Sequence, residues 1–371
     1  MMILVAPDKF KGTLSAASAA AAMAAGARRT FPNAEIETQP LADGGEGTVE
    51  ALLAGVGGDL VTVVITGPLG APVEAAYGRL DDGSVAIEVA SATGLAQLSP
   101  DQYAPLDATS RGVGDLVATV VEYHGGAPIL IGIGGTASTD GGTGAASALG
   151  FRFLDAQGRE LPPGGGALVR LARIDPSEAR RPAGVIGVCD VANPLLGDRG
   201  CARVYGPQKG ATPSEVDLLE EALATLAQRL RTDLGADVAN LPGAGAGGGL
   251  GAGLVAFMGA ELRSGTEVIT AAVALDAQVG GCELVVTGEG SLDGQSLEGK
   301  LPAGVADMAR KAGVPCVAVA GQIELSEAEM RSAGFAAWAS SVEVVGADRA
   351  LAEPAAAVEE ATVAALTAFG G

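Results

Sequence analysis

The chain opens on an apolar run at residues 2–6, followed by a polar turn, APDKFKGTLS, and then an alanine-rich segment. That order predicts a buried strand (Ile3–Ala6), a loop, and a helix over Thr13–Arg29 that Thr13 or Ser15 caps. A second strand is expected at Glu35–Gln39, then the loop LADGGEGT and another helix. Strand, glycine loop and helix, repeated, imply a parallel sheet with ligands at the carboxyl ends of its strands. From Leu60 the pattern changes. Leu60–Thr66, Val73–Arg79 and Ser84–Val89 read as strands joined by turns, with no helix between them. A helix at Ser110–Tyr123, strands at Pro128–Ile133, Phe151–Leu154 and Val185–Val188, and an amphipathic helix at 214–234 follow. After about residue 265 the first pattern returns. It gives helices at Glu267–Val279, Pro302–Ala312, Ser326–Ala333 and from Pro354, with strands at Glu283–Thr287, Pro315–Ala320 and Phe335–Ala339. The expected fold is therefore α/β. Residues 1–60 and 265–371 form a discontinuous, flavodoxin-like parallel-sheet domain, and 61–264 form a second α/β domain inserted in it.

Composition narrows what such a fold does. Of 371 residues 48% are hydrophobic but only 3% aromatic, so the core is built from Ala, Val, Leu and Ile. The formal net charge of −21 argues against nucleic acid and anionic membranes, which need a basic face. No apolar run is long enough for a membrane helix. The Ala16–Ala25 run follows Lys9 and Lys11 as a signal h-region would, but Asp8 and the buried strand before it make it a helix of the mature fold. A cytoplasmic location is expected. Cys189, Cys201, Cys282 and Cys316 show no CxxC spacing, so they imply neither a zinc site nor a redox pair. The oligomeric state is left open, a homodimer among the choices.

Glycine concentrates with charge in four loops, Ala6–Thr13, Leu41–Thr48, Gly132–Gly144 and Thr287–Lys300, and two more glycine loops are Cys189–Ala211 and Gly243–Gly253. Glycine lets backbone amides approach an anion, so the set points to a polyanionic ligand. Gly243–Gly253 reads equally well as a close-packed helix entrance. The carboxylates Asp8, Asp43, Glu46, Asp140, Asp190, Glu289 and Asp293 all stand in or beside these loops. One or two serve as turn or cap residues, and the set as a whole implies a Mg²⁺ site. Of five lysines, Lys9, Lys11, Lys209 and Lys300 lie in the loops and only Lys311 on an ordinary helix; the other 18 basic residues are Arg. No Lys precedes Ser or Thr, so there is no Walker A loop. With His124 the sole histidine, placed at the end of an amphipathic helix, a Ser-His-Asp triad or a His-based metal site is not expected, and a general base would be a carboxylate or lysine. The rival reading is a dinucleotide-dependent oxidoreductase acting on a small hydroxy acid. GIGGTA follows a strand as Gly-x-Gly-x-x-Ala, and Asp155 comes about 20 residues later. A non-catalytic anion-binding protein is a third reading, but it leaves the carboxylates unexplained.

The segments APDKFKGTLSA, PLADGGEGT, TGPLG, ATSRGVGDL, IGIGGTASTDGG, CDVANPL, YGPQKGA, GAGAGGGLGAG and TGEGSLDGQSLEGK, in this order, make the chain resemble the bacterial type I glycerate kinases. The resemblance implies a two-domain α/β enzyme that uses ATP and Mg²⁺ to phosphorylate D-glycerate, with 2-phosphoglycerate favoured over 3-phosphoglycerate. Phosphoryl transfer needs phosphate cradles, a metal, a base and cations. On that chemistry Gly134, Gly135, Thr136, Ser138, Gly141 and Gly142 are expected to cradle phosphate. Asp190 is expected as base or metal ligand, with Glu289 and Asp293 as further metal ligands. Lys11, Lys209 and Lys300 are expected to neutralise phosphate or carboxylate, and Asp8, Asp43 and Arg111 to contact glycerate.

Overall fold

The computed structural model describes residues 1–294, 296 and 301–370. Its first unit comprises Met1–Asp43, Glu50–Gly57 and Thr266–Gly371; its second comprises Gly44–Val49 and Gly58–Gly265. The stretch Gly44–Val49, most of it from the LADGGEGT loop, groups with the second unit, which resumes at Gly58. A Cβ on Gly44 would come within 2.7 Å of the Val188 carbonyl oxygen, so only glycine lets the loop lie on that strand. The Val49 N–H donates to Glu88 Oε1 at 2.8 Å, which fixes the same segment.

Five parallel strands form the sheet of the first unit. In space they run Phe335–Ser340, Cys316–Ile323, Leu284–Leu292, Met2–Val5, Glu35–Thr38. Numbered along this unit the order is 5-4-3-1-2, the flavodoxin-like arrangement. The second unit is the inserted α/β domain. The central strands hold Ile3, Val5, Val286, Val317 and Val319 at zero exposure, as buried parallel strands should. The helix Ala16–Thr30 forms where Ser15 Oγ accepts from the Ser18 N–H and Arg28 and Arg29 close the last turn. Its alanines let it pack tightly on Pro354–Gly370. At Gly26 an added Cβ would meet Glu359 O at 2.6 Å, so Gly26→Ala would force the two helices apart. The expected single helix at Glu267–Val279 is two, Gly265–Ala272 and Leu275–Gly281. Ala274 breaks it in the left-handed region (φ 49°), which turns Leu275 and Val279 inward to zero exposure.

The second unit carries a six-stranded sheet ordered Glu261–Arg263, Val185–Val188, Ile129–Gly132, Val85–Glu88, Pro72–Leu80, Gly58–Thr66. The first four strands are parallel, and the last three form an antiparallel meander. The helix Pro213–Leu234 starts on a Thr212–Glu215 capping box with Pro213 at its first position and stops at Gly235 (φ 71°). It buries Leu219, Leu223, Leu226 and Leu230 completely. Each contributes about 1.5–3 kcal/mol of burial. The scarce aromatics gather here, with the Phe151 and Phe153 rings edge-on to Phe257 at 5.0 and 5.6 Å.

Candidate active site

In the first unit the loops after the strand ends bring several of the candidate residues together. After Met2–Val5 the Asp8 N–H donates to Gly288 O (2.9 Å) and the Leu41 N–H to Pro7 O (2.9 Å), so three neighbouring strands present their following loops together. Gly290 and Gly321 lie beside each other on neighbouring strands of the sheet, and a Cβ on Gly321 would stand 2.4 Å from Gly290 O. The loops border a cavity of about 440 Å³ whose lining includes Asp8, Lys9, Lys11, Asp43, Glu289 and Asp293. Lys9 Nζ donates to Asp43 Oδ1 at 2.8 Å and lies 3.8 Å from Asp8 Oδ1. Asp8 Oδ1 also accepts from the Lys9 N–H at 2.6 Å. Burial raises the Asp8 pKa from 3.8 to about 7; Lys9 opposes the rise, while Asp43 and Glu289 add to it. A carboxyl poised near neutrality beside other carboxylates suits proton transfer or a cation site.

The second unit uses its glycine loop differently. Asp140 has no exposed surface. Its Oδ2 accepts from the Ser110 N–H (2.8 Å), Ser110 Oγ (2.9 Å) and Gly144 N–H (3.1 Å), and its Oδ1 from the Gly142 N–H (3.1 Å). The carboxylate thus ties the entry of helix Arg111–Tyr123 to that of Thr143–Ala148. Thr136 and Ser138 are buried, and their hydroxyls bond each other at 3.1 Å. Gly141 faces Leu226 and Leu223, and Gly142 faces Leu250 and Gly253. Lys209 is 3% exposed; its ammonium donates to Ser138 O and reaches Thr139 Oγ1 at 3.5 Å. Burial pulls its pKa from 10.5 down to about 8.

Thr136, Ser138, Gly141, Gly142 and Lys209 are buried and make these contacts within the loop and with the helices packed on it. Gly134 and Gly135 alone of the expected cradle reach the surface. The Gly243–Gly253 loop is the close-packed helix entrance. Gly247, Gly248 and Gly249 have φ of 60°, 67° and 86°, and a Cβ on Gly248 would be 2.1 Å from Ser138 O.

Asp190 lies two residues beyond the strand Val185–Val188. Its Oδ1 accepts from Ser264 Oγ (2.7 Å) and the Gly265 N–H (2.8 Å). Arg111 begins its helix with a half-exposed side chain 3.9 Å from Asp115. Asp8, Lys11, Asp43, Glu289 and Asp293 are brought to one cavity; Asp190, Arg111, Gly134 and Gly135 belong to the second unit. Lys300 lies outside the described residues. Among the described residues no three of His, Cys, Asp and Glu group as a metal cage. Lys9 and Ser341 are among the lining residues that the sequence assignment did not name. Lys9 was visible as one of the loop lysines, and its place between two carboxylates was not. Ser341, at the end of strand Phe335–Ser340, had no neighbouring glycine to mark it.

The nicotinamide reading loses both its supports. The helix after GIGGTA starts only at Thr143 and has six residues. Asp155 closes a turn instead, accepting from the Gln157 and Arg159 N–H groups at 2.8 and 3.0 Å.

A flavodoxin-like sheet with a carboxylate–lysine cavity at its carboxyl edge and an inserted α/β domain defines an α/β enzyme. The Glycerate kinase family matches residues 3–369. A glycerate 2-kinase of Escherichia coli K12 is 46% identical over 327 residues, 87% of this chain and 86% of its own length. A glycerate kinase of Bacillus subtilis 168 is 44% identical over 327 residues, covering 87% and 85%. A crystal structure described as a candidate glycerate kinase 2 from Salmonella typhimurium LT2 superposes with a TM-score of 0.83 at 41% identity, covering 100% of this chain and 99% of the other. The chain belongs to the glycerate kinase family. Among the described residues no helix is long and apolar enough to cross a membrane.

Proposed function

We propose that the chain is an ATP-dependent kinase that phosphorylates D-glycerate, giving 2-phosphoglycerate in preference to 3-phosphoglycerate. The observation that carries this reading is the first-unit cavity, where carboxylates and lysines gather at the carboxyl ends of a parallel sheet in a member of the glycerate kinase family. The Escherichia coli relative is named for the 2-position, which supports that choice.

The reaction forms a bond between a glycerate hydroxyl oxygen and the γ-phosphorus, breaks the bond from that phosphorus to the β–γ bridging oxygen, and frees ADP and a proton. Asp8 is suited to take the proton, since a carboxylate with a pKa of about 7 is half-ionised at working pH. Lys9 and Lys11 offset phosphate or carboxylate charge. The donor set fits Mg²⁺, which takes one or two carboxylates with phosphate and water oxygens. Glu289 and Asp293 are the proposed ligands; burial is the main cause of the raised Asp8 pKa, and a dication would relieve the smaller part that Asp43 and Glu289 add. When bound, the ion would neutralise charge on the phosphate oxygens. In the second unit Asp190 is the other carboxylate proposed for base or metal work, Arg111 for the glycerate carboxylate, and Gly134 and Gly135 for phosphate. Lys300 is proposed for phosphate on sequence alone. The four cysteines are free, which accords with the proposed cytoplasmic location.

Purified protein should release ADP from ATP only when glycerate and Mg²⁺ are both present. ³¹P NMR of the product distinguishes the two phosphoglycerates. Nicotinamide reduction by a hydroxy acid without ADP would overturn the reading.

A further inference from the structure

The first-unit cavity is chemically mixed. The proposed reaction uses its charged residues. Its lining also includes Ala347, Ala350, Leu351, Pro354 and Val358 together with Ser341, all uncharged, and no step above touches them. Two features there have no internal explanation. Leu351 is 70% exposed, a large apolar side chain left in solvent at the cavity wall. Ser341 is 2% exposed, and its Oγ has no hydrogen-bond partner among the described residues. The adjacent Ser340 already does the structural work, donating to Gly321 O at 2.9 Å and accepting from the Glu343 N–H at 3.4 Å. A buried hydroxyl is normally satisfied, so one that is unpaired beside a cavity points to a ligand atom.

We infer that this uncharged part of the lining is the site for the nucleobase of ATP. The inference rests on the kinase reading and extends it to where the donor lies. A nucleoside triphosphate is polyanionic at one end and a flat, weakly polar ring at the other, which matches the division of the lining. The ring covers Leu351 and packs on the alanine and proline surface. A serine hydroxyl both donates and accepts, so Ser341 pairs with a nitrogen on the ring edge. Glycerate has a polar group on every carbon and no face with which to cover Leu351.

The test is calorimetric titration of the full chain with ADP and with inorganic tripolyphosphate, each with Mg²⁺, for wild type, Leu351→Ser and Ser341→Ala. Leu351→Ser is uncharged and at an exposed position, so it alters neither the field at the charged residues nor the core. It should weaken ADP about five- to tenfold and raise the KM for ATP in step, with tripolyphosphate affinity kept within about twofold. Ser341→Ala should weaken ADP about three- to tenfold, with an unchanged Tm. Unaltered ADP affinity in Leu351→Ser, or equal weakening of ADP and tripolyphosphate, overturns the nucleobase site and leaves the kinase reading intact. A wild type that releases no ADP in the presence of glycerate fails earlier, and both readings fall.

Discussion

The Asp8–Lys9–Asp43 cluster and the Asp140–Ser110–Lys209 cluster are made of the same materials: glycine, hydroxyl, carboxylate and lysine in loops that follow parallel strands. They differ in where their hydrogen bonds go. Asp140 spends four on its own backbone and on Ser110 at zero exposure. Lys209 spends its ammonium on Ser138 O. Asp8 is nearly as buried, at 6%, yet its neighbours are other carboxylates and one lysine around a cavity. A buried carboxylate supplied with N–H donors stabilises the fold, whereas one buried with few donors and beside other carboxylates costs stability when ionised.

The largest effect expected from this contrast is at Asp140. Asp140→Ala leaves the Ser110, Gly142 and Gly144 N–H groups buried and unpaired, and should cost about 3–5 kcal/mol in urea denaturation. Unchanged stability with lost turnover would move this loop into the chemistry and erase the contrast. Asp8→Asn should act in the opposite sense. The folded pKa lies at about 7 against 3.8 unfolded, so the wild type binds more protons folded than unfolded between those values. The stability that Asp8 contributes is full below pH 3.8 and is lost as pH rises to about 7, at roughly 1.4 kcal/mol per pH unit. Asp8→Asn should lack this slope, exceed the wild type by as much as about 4 kcal/mol at pH 8, and be catalytically impaired. A variant less stable than wild type at pH 8 would refute the assignment.

Lys9→Met should lower kcat/KM by about 2 kcal/mol or more, the scale of a lost charged hydrogen bond. Lys311→Met, which loses only an exposed pair with Asp307, serves as its control and should change little. Equal kinetics for the two would end the claim that Lys9 acts on a ligand. The smallest effect is a slope at Lys209. Its folded pKa of about 8 lies below the ordinary 10.5, so the unfolded chain binds more protons between these values. Wild-type stability relative to Lys209→Met should therefore rise with pH across that window, by at most about 1.4 kcal/mol per pH unit. A flat difference between pH 8 and 10 would mean that the ammonium is not desolvated as its burial implies.

Much of the fold was legible because local rules and tertiary packing agree. Val185–Val188 is a strand as its apolar run requires, and Pro213–Leu234 keeps the cap, the first-position proline and the terminal glycine written at its ends. The helix expected over Glu267–Val279 broke because Ala274, which has no local reason to leave the helical region, is held there by the burial of Leu275 and Val279. The glycine loops were legible as special, since runs such as Gly247–Gly249 serve only where the backbone turns left-handed or passes close to another chain segment.

What the sequence by itself determined is the α/β alternation, the glycine and carboxylate chemistry of the loops, and the family the motifs belong to. These depend on residue type and on spacing along the chain. Only the tertiary structure decided which loop presents its polar groups and which consumes them. Asp8 and Asp140 are the same residue in similar glycine-rich company, and nothing in spacing separates them. The difference is made by partners distant in sequence: Gly288, Glu289 and Asp43 for Asp8, and Ser110 for Asp140. Hydrogen-bond satisfaction is a property of the neighbours assembled by folding, so it could not be read from either loop alone.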